Sequence, residues 1–358
     1  MAAPKKKRHL LGRLSFGGVA LVLSSLLLLS YLSVLIDPSR AWFFTIFGLL
    51  YPVVFPVTLV LFVWAIIRRS RMTLILAVAL LPSVFFFGKY VQLRRPDFDR
   101  EPSLSMVSYN VGLFSHGPSG SDRLSLADST AAYLMDLDAD IICLQEFWLP
   151  RTESIDAWIS RHFPGYKAEY YVFPGFGGRF GNVTLSRRAF TGKGKNTFDR
   201  STNLAVYTDV RLDSCVLRLY NCHFESYNIS LPALVKTDVA VEETERKMRR
   251  SISERPKQVA QVLRGVDSSP VHSVVLGDFN DTPLSYTYLR LRRGRKDSFT
   301  TAGKGWGATY SILWPLLRID YILDPPELQA VSCIIDRVDY SDHYPVFVKF
   351  YETGRDSR

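Results

Sequence analysis

The chain has 358 residues and a formal net charge of +10, from 44 Lys and Arg against 34 Asp and Glu. Thirteen of the basic residues and three of the acids fall in the first 100 positions, so the remainder holds 31 of each and is neutral. The basic excess therefore belongs to the N-terminal part, which removes the usual argument from a high isoelectric point to a nucleic-acid-binding domain.

That N-terminal part contains three apolar runs, at about 14–36, 42–67 and 72–93. A bilayer core of about 30 Å takes roughly 20 apolar residues in helix, so each run is expected to cross it. Pro82 and Lys89 make the third the weakest, with Lys89 expected to snorkel toward the headgroups. The basic Lys5, Lys6, Lys7 and Arg8 could introduce a cleaved leader, but no small-residue cleavage site follows and two further runs come after it. These four with Arg13 precede the first run, and Arg68, Arg69 and Arg71 separate the second from the third. The positive-inside pattern puts both groups in the cytoplasm and the rest of the chain outside, although Arg94, Arg95 and Arg100 pull the other way. We therefore expect a multi-pass transmembrane segment over 1–93, a charged and proline-punctuated linker over 94–102, and a globular, extracytoplasmic domain over 103–358.

After the linker, strand-like runs recur: LSMVSYNVGLF, ADIICLQEFW, NVTLSR, NLAVYTDV, CVLRLYNCHF, HSVVLGDFN, RIDYIL and HYPVFVKFY. Helical patterns are expected over Ser121 to Leu137 and over Thr237 to Val266, the latter interrupted by Pro256. Many strands with few helices point to an α+β fold of two packed sheets flanked by helices. The four cysteines show neither CxxC nor zinc spacing. Cys215 and Cys222 on one extended strand would be about 23 Å apart, beyond disulfide reach, so buried free thiols are expected.

Polar residues recur at the ends of these runs: Asn110, Glu146, Asn221 with His223, Asp278 with Asn280, Asp320, and Asp342 with His343. A lone acid at a strand end is usually a cap, and a lone histidine is usually structural. Their joint occurrence carries the argument. Glu146 and Asp342 offer hard oxygen centres suited to Mg²⁺ or Mn²⁺, with Asn110 as a neutral helper. Asp278 and Asn280, two residues apart, can address one water, the carboxylate taking its proton. His223 and His343 offer donors to phosphoryl oxygens, and Asp320 can orient one histidine and keep it protonated.

The pieces SYNVG, CLQE, FGNVTLSR, NCHFES, GDFND, RIDYIL and SDHYPV, in that order over about 101–351, resemble the endonuclease/exonuclease/phosphatase superfamily, which includes DNase I-like nucleases, inositol-polyphosphate phosphatases and bacterial sphingomyelinases. The resemblance implies a four-layer α/β/β/α sandwich, here preceded by an N-terminal transmembrane helical segment. It implies Glu146 as principal metal ligand with Asn110 nearby and Asp342 assisting, Asp278 and Asn280 handling the nucleophilic water, and His223 and His343 binding phosphate, His343 supported by Asp320. Gly112 stands where several nucleases of the superfamily carry a further acid, which puts a second metal ligand in doubt. Asn182, Asn221 and Arg187 are expected substrate contacts, each weighed against a bland role as a buried amide or a solvated arginine.

The expectation is a metal-dependent phosphoester hydrolase, a phosphodiesterase before a phosphomonoesterase, held at a lipid bilayer and acting on a phospholipid or another surface-bound phosphoester. The alternatives are an extracytoplasmic nuclease, disfavoured by the neutral domain, and a non-catalytic membrane scaffold. No sequence feature requires an obligate protein partner. The basic run Arg290, Arg292, Arg293, Arg295, Lys296 reads first as a solvated face and second as a contact for anionic headgroups.

Overall fold

The structure, a computed structural model, describes residues 4–93, 98, 101–117, 122–199, 201–213, 215–227 and 238–353. All but three residues of the expected linker lie outside these. Three helices come first: α1 (Pro4–Leu32), α2 (Phe43–Ile67) and α3 (Met72–Leu80). One helix among the described residues, Phe43–Ile67, is long and apolar enough by length and composition to cross a membrane; the apolar parts Phe16–Leu32 and Met72–Phe85 are shorter. Of the three expected spans, the second is the one that has spanning length among the described residues. The third run breaks because Pro82 has no N–H to continue the helix, and the chain tightens into 3-10 turns at Leu81–Phe85 and Phe87–Lys89. Lys89 Nζ donates to Phe85 O at 3.1 Å.

The remaining chain forms β1 (Val91–Gln92), β2 (Leu104–Asn110), α4 (Arg123–Asp136), β3 (Ile141–Pro150), α5 (Ile155–His162), β4 (Lys167–Gly175), β5 (Gly178–Ser186), β6 (Phe190–Thr197), β7 (Leu204–Arg211) and β8 (Val216–His223). There follow α6 (Asp238–Asp267), β9 (His272–Asp278), α7 (Tyr286–Arg292), β10 (Lys296–Asp297), α8 (Ser298–Ala302), β11 (Gly305–Trp306), β12 (Asp320–Asp324), β13 (Leu328–Ile335) and β14 (Val346–Glu352). One six-stranded sheet has the order β13-β14-β2-β3-β5-β4 and the other β10-β12-β9-β8-β7-β6.

Strand alternation builds the layers. Met106 and Ile141 meet Leu219 and Leu276 between the sheets, while their neighbours Val107 and Ile142 face outward onto Ala131 and Leu134 of α4 and Trp158 of α5. On the other side Tyr220 and Val275 pack on Val259 and Val262 of α6 and Leu291 of α7. Period-two burial on both faces of each sheet is what a two-sheet sandwich flanked by helices requires. Pro256 does not interrupt α6, contrary to the sequence reading. The apolar face through Ile252, Val259 and Val262 is buried, and that packing outweighs the roughly 3 kcal/mol a helix-interior proline costs. The cysteines behave as expected where burial is concerned: Cys143, Cys222 and Cys333 are buried and Cys215 half-buried.

Each sheet contains one parallel pair, β2 with β3 and β8 with β9; the first pairing ends at Asn110 beside Gln145, with β3 running on to Pro150, and the second at His223 beside Asp278, where both strands end. Chemistry-bearing residues therefore emerge at the carboxyl ends of both pairs, at the same edge of the sandwich. Gly277 makes that emergence possible in β9. Its φ is +122°, and a Cβ there would stand 2.0 Å from Cys222 O. Gly277→Ala is expected to cost roughly 2–5 kcal/mol from backbone strain and overpacking together, read as a lower denaturant midpoint in detergent.

Candidate active site

Glu146 lies at an irregularity within β3: the β3–β5 register shifts between Leu144 and Phe147, and Glu146 takes φ +52°. A bulge re-aims a side chain, and here it turns Glu146 toward the second sheet. Asn280 also lies in the left-handed region, at φ +51°. Two non-glycine residues in this conformation at one sheet edge are strain held by their surroundings, as is common where function is built.

The side chains meet around Asp278, which is 1 % exposed. Asn110 Nδ2 donates to Asp278 Oδ2 at 2.9 Å and to Glu146 Oε1 at 3.1 Å, bridging the sheets. Asn280 donates its backbone N–H to Asp278 Oδ1 at 2.8 Å and its Nδ2 to Asp278 Oδ2 at 3.0 Å. That Nδ2 also donates to Phe224 O at 2.9 Å, so Asn280 can address a water only through Oδ1. His223 Nε2 lies 3.4 Å from Glu146 Oε1 and 3.8 Å from Asp278 Oδ2. His343 Nε2 is 3.8 Å from the same Asp278 oxygen, and its Nδ1 is 2.9 Å from Asp320 Oδ2. Asp320 pairs with Asp278 across β12 and β9.

Burial, then the charge of Asp320, pushes Asp278 up to about 6, against the pull of His343, His223 and Asn110. Burial works against a charge on His343, but the carboxylates of Asp320 and Asp278 outweigh it and hold its pKa well above the ordinary imidazole value. The site thus pairs an acid near neutrality with a cationic imidazole, the arrangement general acid–base chemistry uses.

Glu146 and Asp342 have side chains 29 % and 17 % exposed, so both reach the mouth. A cation there would meet an all-oxygen set, which fits Mg²⁺ or Mn²⁺ and not a soft metal. Asn110 Oδ1 accepts from Gly112 N at 3.0 Å, which leaves one lone pair for a metal. Asp278, Asp320 and His343 also offer three ligand atoms within 4.8 Å of one another. Asp320 Oδ1 is buried without a hydrogen-bond partner among the described residues, as suits a site that receives a ligand, but a cation bound to His343 would have to displace its proton. The absent acid at Gly112 has a steric reason: at φ +53°, a Cβ would stand 2.7 Å from His116 Nδ1 and 2.9 Å from Asp342 Oδ1.

Three expected substrate contacts lie elsewhere. Asn221 is fully buried between the sheets, donating to Val183 O at 3.0 Å and Leu144 O at 3.2 Å while accepting from Gln145 Nε2 at 2.8 Å. Asn182 is equally buried and donates to Asn221 O at 3.0 Å. Both amides tie one sheet to the other through their Nδ2 groups, and Asn182 Oδ1 has no hydrogen-bond partner among the described residues. Arg187 pairs with Asp138 at the opposite end of β3, its N–H on Asp140 O. Six residues of strand from there to Glu146 span about 20 Å, so Arg187 serves that far edge.

Two residues that the sequence did not single out stand at the mouth. His116 Nε2 is 3.5 Å from Asp342 Oδ2, and the Tyr310 ring packs edge-on against His343 with centroids 5.3 Å apart. Neither carries a local signal beyond a histidine in a Gly/Ser/Pro loop and a tyrosine in an apolar one. Behind the site, Arg255 is buried and clamps together the segments that follow β8 and β9, with Nε donating to Glu225 O at 2.9 Å and Nη1 3.1 Å from Asp281 Oδ2. Tyr227 donates to Asp281 Oδ1 at 2.6 Å.

Comparison with known proteins agrees with this geometry. Residues 107–343, two thirds of the chain, match the Endonuclease/Exonuclease/phosphatase family. The chain belongs to that family. Its members are metal-dependent phosphoester hydrolases. Residues 13–90 match a domain of unknown function, DUF8431, and no curated protein matches the chain. Among solved structures, an endonuclease/exonuclease/phosphatase from Beutenbergia cavernae superposes with a TM-score of 0.52 at 19% identity, covering 70% of this chain and 72% of its own. The human Nocturnin catalytic domain with bound sulfate gives 0.53 at 14% identity, over 72% and 98%. TDP2 of D. rerio, complexed with a single-strand DNA product, gives 0.50 at 20%, over 69% and 98%. At these identities the likenesses establish the fold.

Proposed function

We propose that this family member is a divalent-metal-dependent phosphodiesterase held at a membrane by its N-terminal helices. The observation that carries the reading is the meeting of Glu146, His223, Asp278 and His343 within 3.4–3.8 Å contacts, from both sheets. Water attacks phosphorus; Asp278 takes its proton, Asn280 holds it through Oδ1, and the ester P–O bond opposite breaks, the departing oxygen leaving as an alcohol with a proton from solvent at the mouth. His223 and His343 donate to the phosphate oxygens, and Asp320 keeps His343 oriented and charged. Glu146, with Asp342 and Asn110, would hold Mg²⁺ or Mn²⁺, which supplies charge neutralisation at the phosphate. Glu146→Gln is expected to raise the metal concentration needed for half-maximal activity by about 10–100-fold, read by metal titration at saturating substrate.

The membrane half of the reading draws support from the helix of spanning length and from the position of the domain. The residue after α1, Ser33, the early α2 residue Gly48 and Tyr90 after the 3-10 turns meet the domain at Leu284 and Gly307, whereas Arg68, Arg69 and Arg71 lie in the loop between α2 and α3, the side a positive-inside pattern assigns to the cytoplasm. The domain is docked on these helices. Ser33 Oγ donates to Leu284 O at 2.7 Å, Gly307 N to Tyr90 O at 2.8 Å, and Leu284 joins the buried cluster of Leu27, Tyr51 and Tyr90. The helical segment thus holds the domain directly, through Ser33 and Tyr90, and activity should be measured on the full chain. The test is turnover of a chromogenic phosphodiester, a bilayer lipid phosphodiester and plasmid DNA with Mg²⁺, Mn²⁺ or chelator. Metal-dependent turnover of the diesters supports the reading; DNA cleavage alone would make the chain a nuclease, and no turnover of any would leave a scaffold.

A further inference from the structure

The segment between β11 and β12 reads GATYSILWPLLRI and leaves large apolar groups in the open. Ile312 is 57% exposed and Trp314 39%, with Trp306 at the base of the segment 52%. The rings of Trp306 and Trp314 lie 6.4 Å apart. A clustered apolar patch of this kind marks a contact surface, not a solvated loop.

Its two attachments say which surface. At one end, Trp306 pairs with Val91 in the β1–β11 ribbon, and Gly307 N donates to Tyr90 O. The patch is thereby continuous with the helical segment, whose Val84, Phe85 and Leu93 are among its most exposed side chains. At the other end the segment holds the mouth of the site. Ser311 donates N–H and Oγ to Asp342 O at 2.8 and 2.9 Å, Tyr344 N donates to Thr309 O at 2.7 Å, and Tyr310 packs on His343. One short segment thus runs from where the anchor ends to the two residues proposed to meet metal and phosphate.

We propose that Trp306, Ile312 and Trp314 form a ridge that sits in the interfacial layer of the same bilayer that holds the helices, and that the substrate is an amphiphilic phosphoester resident in that bilayer, its apolar part on the ridge and its phosphate at His343. Tryptophan at the depth where headgroups meet acyl chains is the favoured placement for an apolar ring with one polar atom. The exposed Arg337, its guanidinium 4.7 Å from the Trp314 ring, stands where a phosphate-bearing surface would meet it. The substrate half of this inference rests on the phosphodiesterase reading; the ridge itself does not.

The test uses the full chain reconstituted in phosphatidylcholine vesicles. An environment-sensitive fluorophore on Ile312→Cys, in a Cys215→Ser background, is expected to be quenched by lipids brominated on the acyl chain. In kinetics, Ile312→Asp, and separately Trp314→Gln, should lower turnover of the bilayer lipid phosphodiester at least 10-fold and leave a soluble chromogenic phosphodiester within twofold. Equal loss on both substrates, or none on either, overturns the substrate half. No quenching by any brominated lipid overturns the ridge, as does probe protection that needs no lipid and grows with protein concentration, which would assign the patch to a second copy. Should the wild type turn over neither diester, the phosphodiesterase reading fails by itself, and quenching still decides the ridge.

Discussion

Asp278→Asn is expected to lower kcat/KM for metal-dependent phosphodiester hydrolysis by about 10³-fold, the range that removal of a general base produces, with the far-ultraviolet circular dichroism unchanged. The carboxylate is the point at which both sheets converge, and asparagine keeps its shape without its basicity. Stability should move little. Asp278 is pushed up from 3.8 to about 6, so its folded-state pKa lies above the unfolded one. Its contribution to stability is fully present below pH 3.8 and is lost as pH rises through about 6, a swing of about 3 kcal/mol. Asparagine imitates the protonated acid and escapes that loss, but its amide nitrogen would face the donors of Asn110 and Asn280 and offset part of the gain. In the wild type, the acid limb of kcat/KM should fall at or below pH 6, since a bound cation favours the ionised form. A variant retaining more than a tenth of wild-type turnover would remove Asp278 from the base's role.

Arg318→Met is expected to destabilise the domain by about 3–5 kcal/mol, the cost of stranding one partner of a buried ion pair. Arg318 is 1% exposed and Asp297 fully buried; Nη1 and Nη2 lie 2.7 and 2.5 Å from the two carboxylate oxygens. Burial opposes ionisation of Asp297, yet the guanidinium holds its pKa below the ordinary value. Tyr288 donates to the same carboxylate at 2.7 Å, and Arg318 Nη1 also donates to Lys89 O at 3.1 Å, linking the pair to the helical segment. The double variant Asp297→Leu, Arg318→Met should recover most of the loss, because a packed apolar pair carries no stranded charge. A single variant that costs less than about 1 kcal/mol, as exposed pairs do, would show that solvent reaches the pair.

The edge where Asn110, Glu146, His223, Asp278 and His343 meet was legible in the sequence because most of these residues sit at strand ends, where an apolar run gives way to polar groups. VVLGDFND could be read that way without coordinates, and the glycine's role needed only the close approach of Cys222 O to explain it. Asn182 and Asn221 also interrupt apolar strands, but a polar side chain at such a position can turn inward to join two sheets as readily as outward to a ligand. Sequence does not distinguish these. Arg187 failed for a different reason: β5 runs antiparallel to β3, so a residue soon after a site motif is carried to the far edge. The β1–β11 ribbon, two residues on each strand, is too short for any periodicity to reveal, and with it went the docking of the domain on the helices. His116 and Tyr310 enter the mouth from loops, where position depends on tertiary contacts that no local pattern encodes. In the third apolar run, already the weakest because of Pro82, the α-helix ends at Leu80 and 3-10 turns follow, a shortening that hydropathy along the run does not give.

Hydrolysis in ¹⁸O-enriched water, followed by mass spectrometry of both products of a phosphodiester, tests the central claim most directly. Attack of a water held by Asp278 on phosphorus places one ¹⁸O in the phosphoryl product, only when Mg²⁺ or Mn²⁺ is supplied. Label in the alcohol product, or the same incorporation with chelator present, would contradict the account.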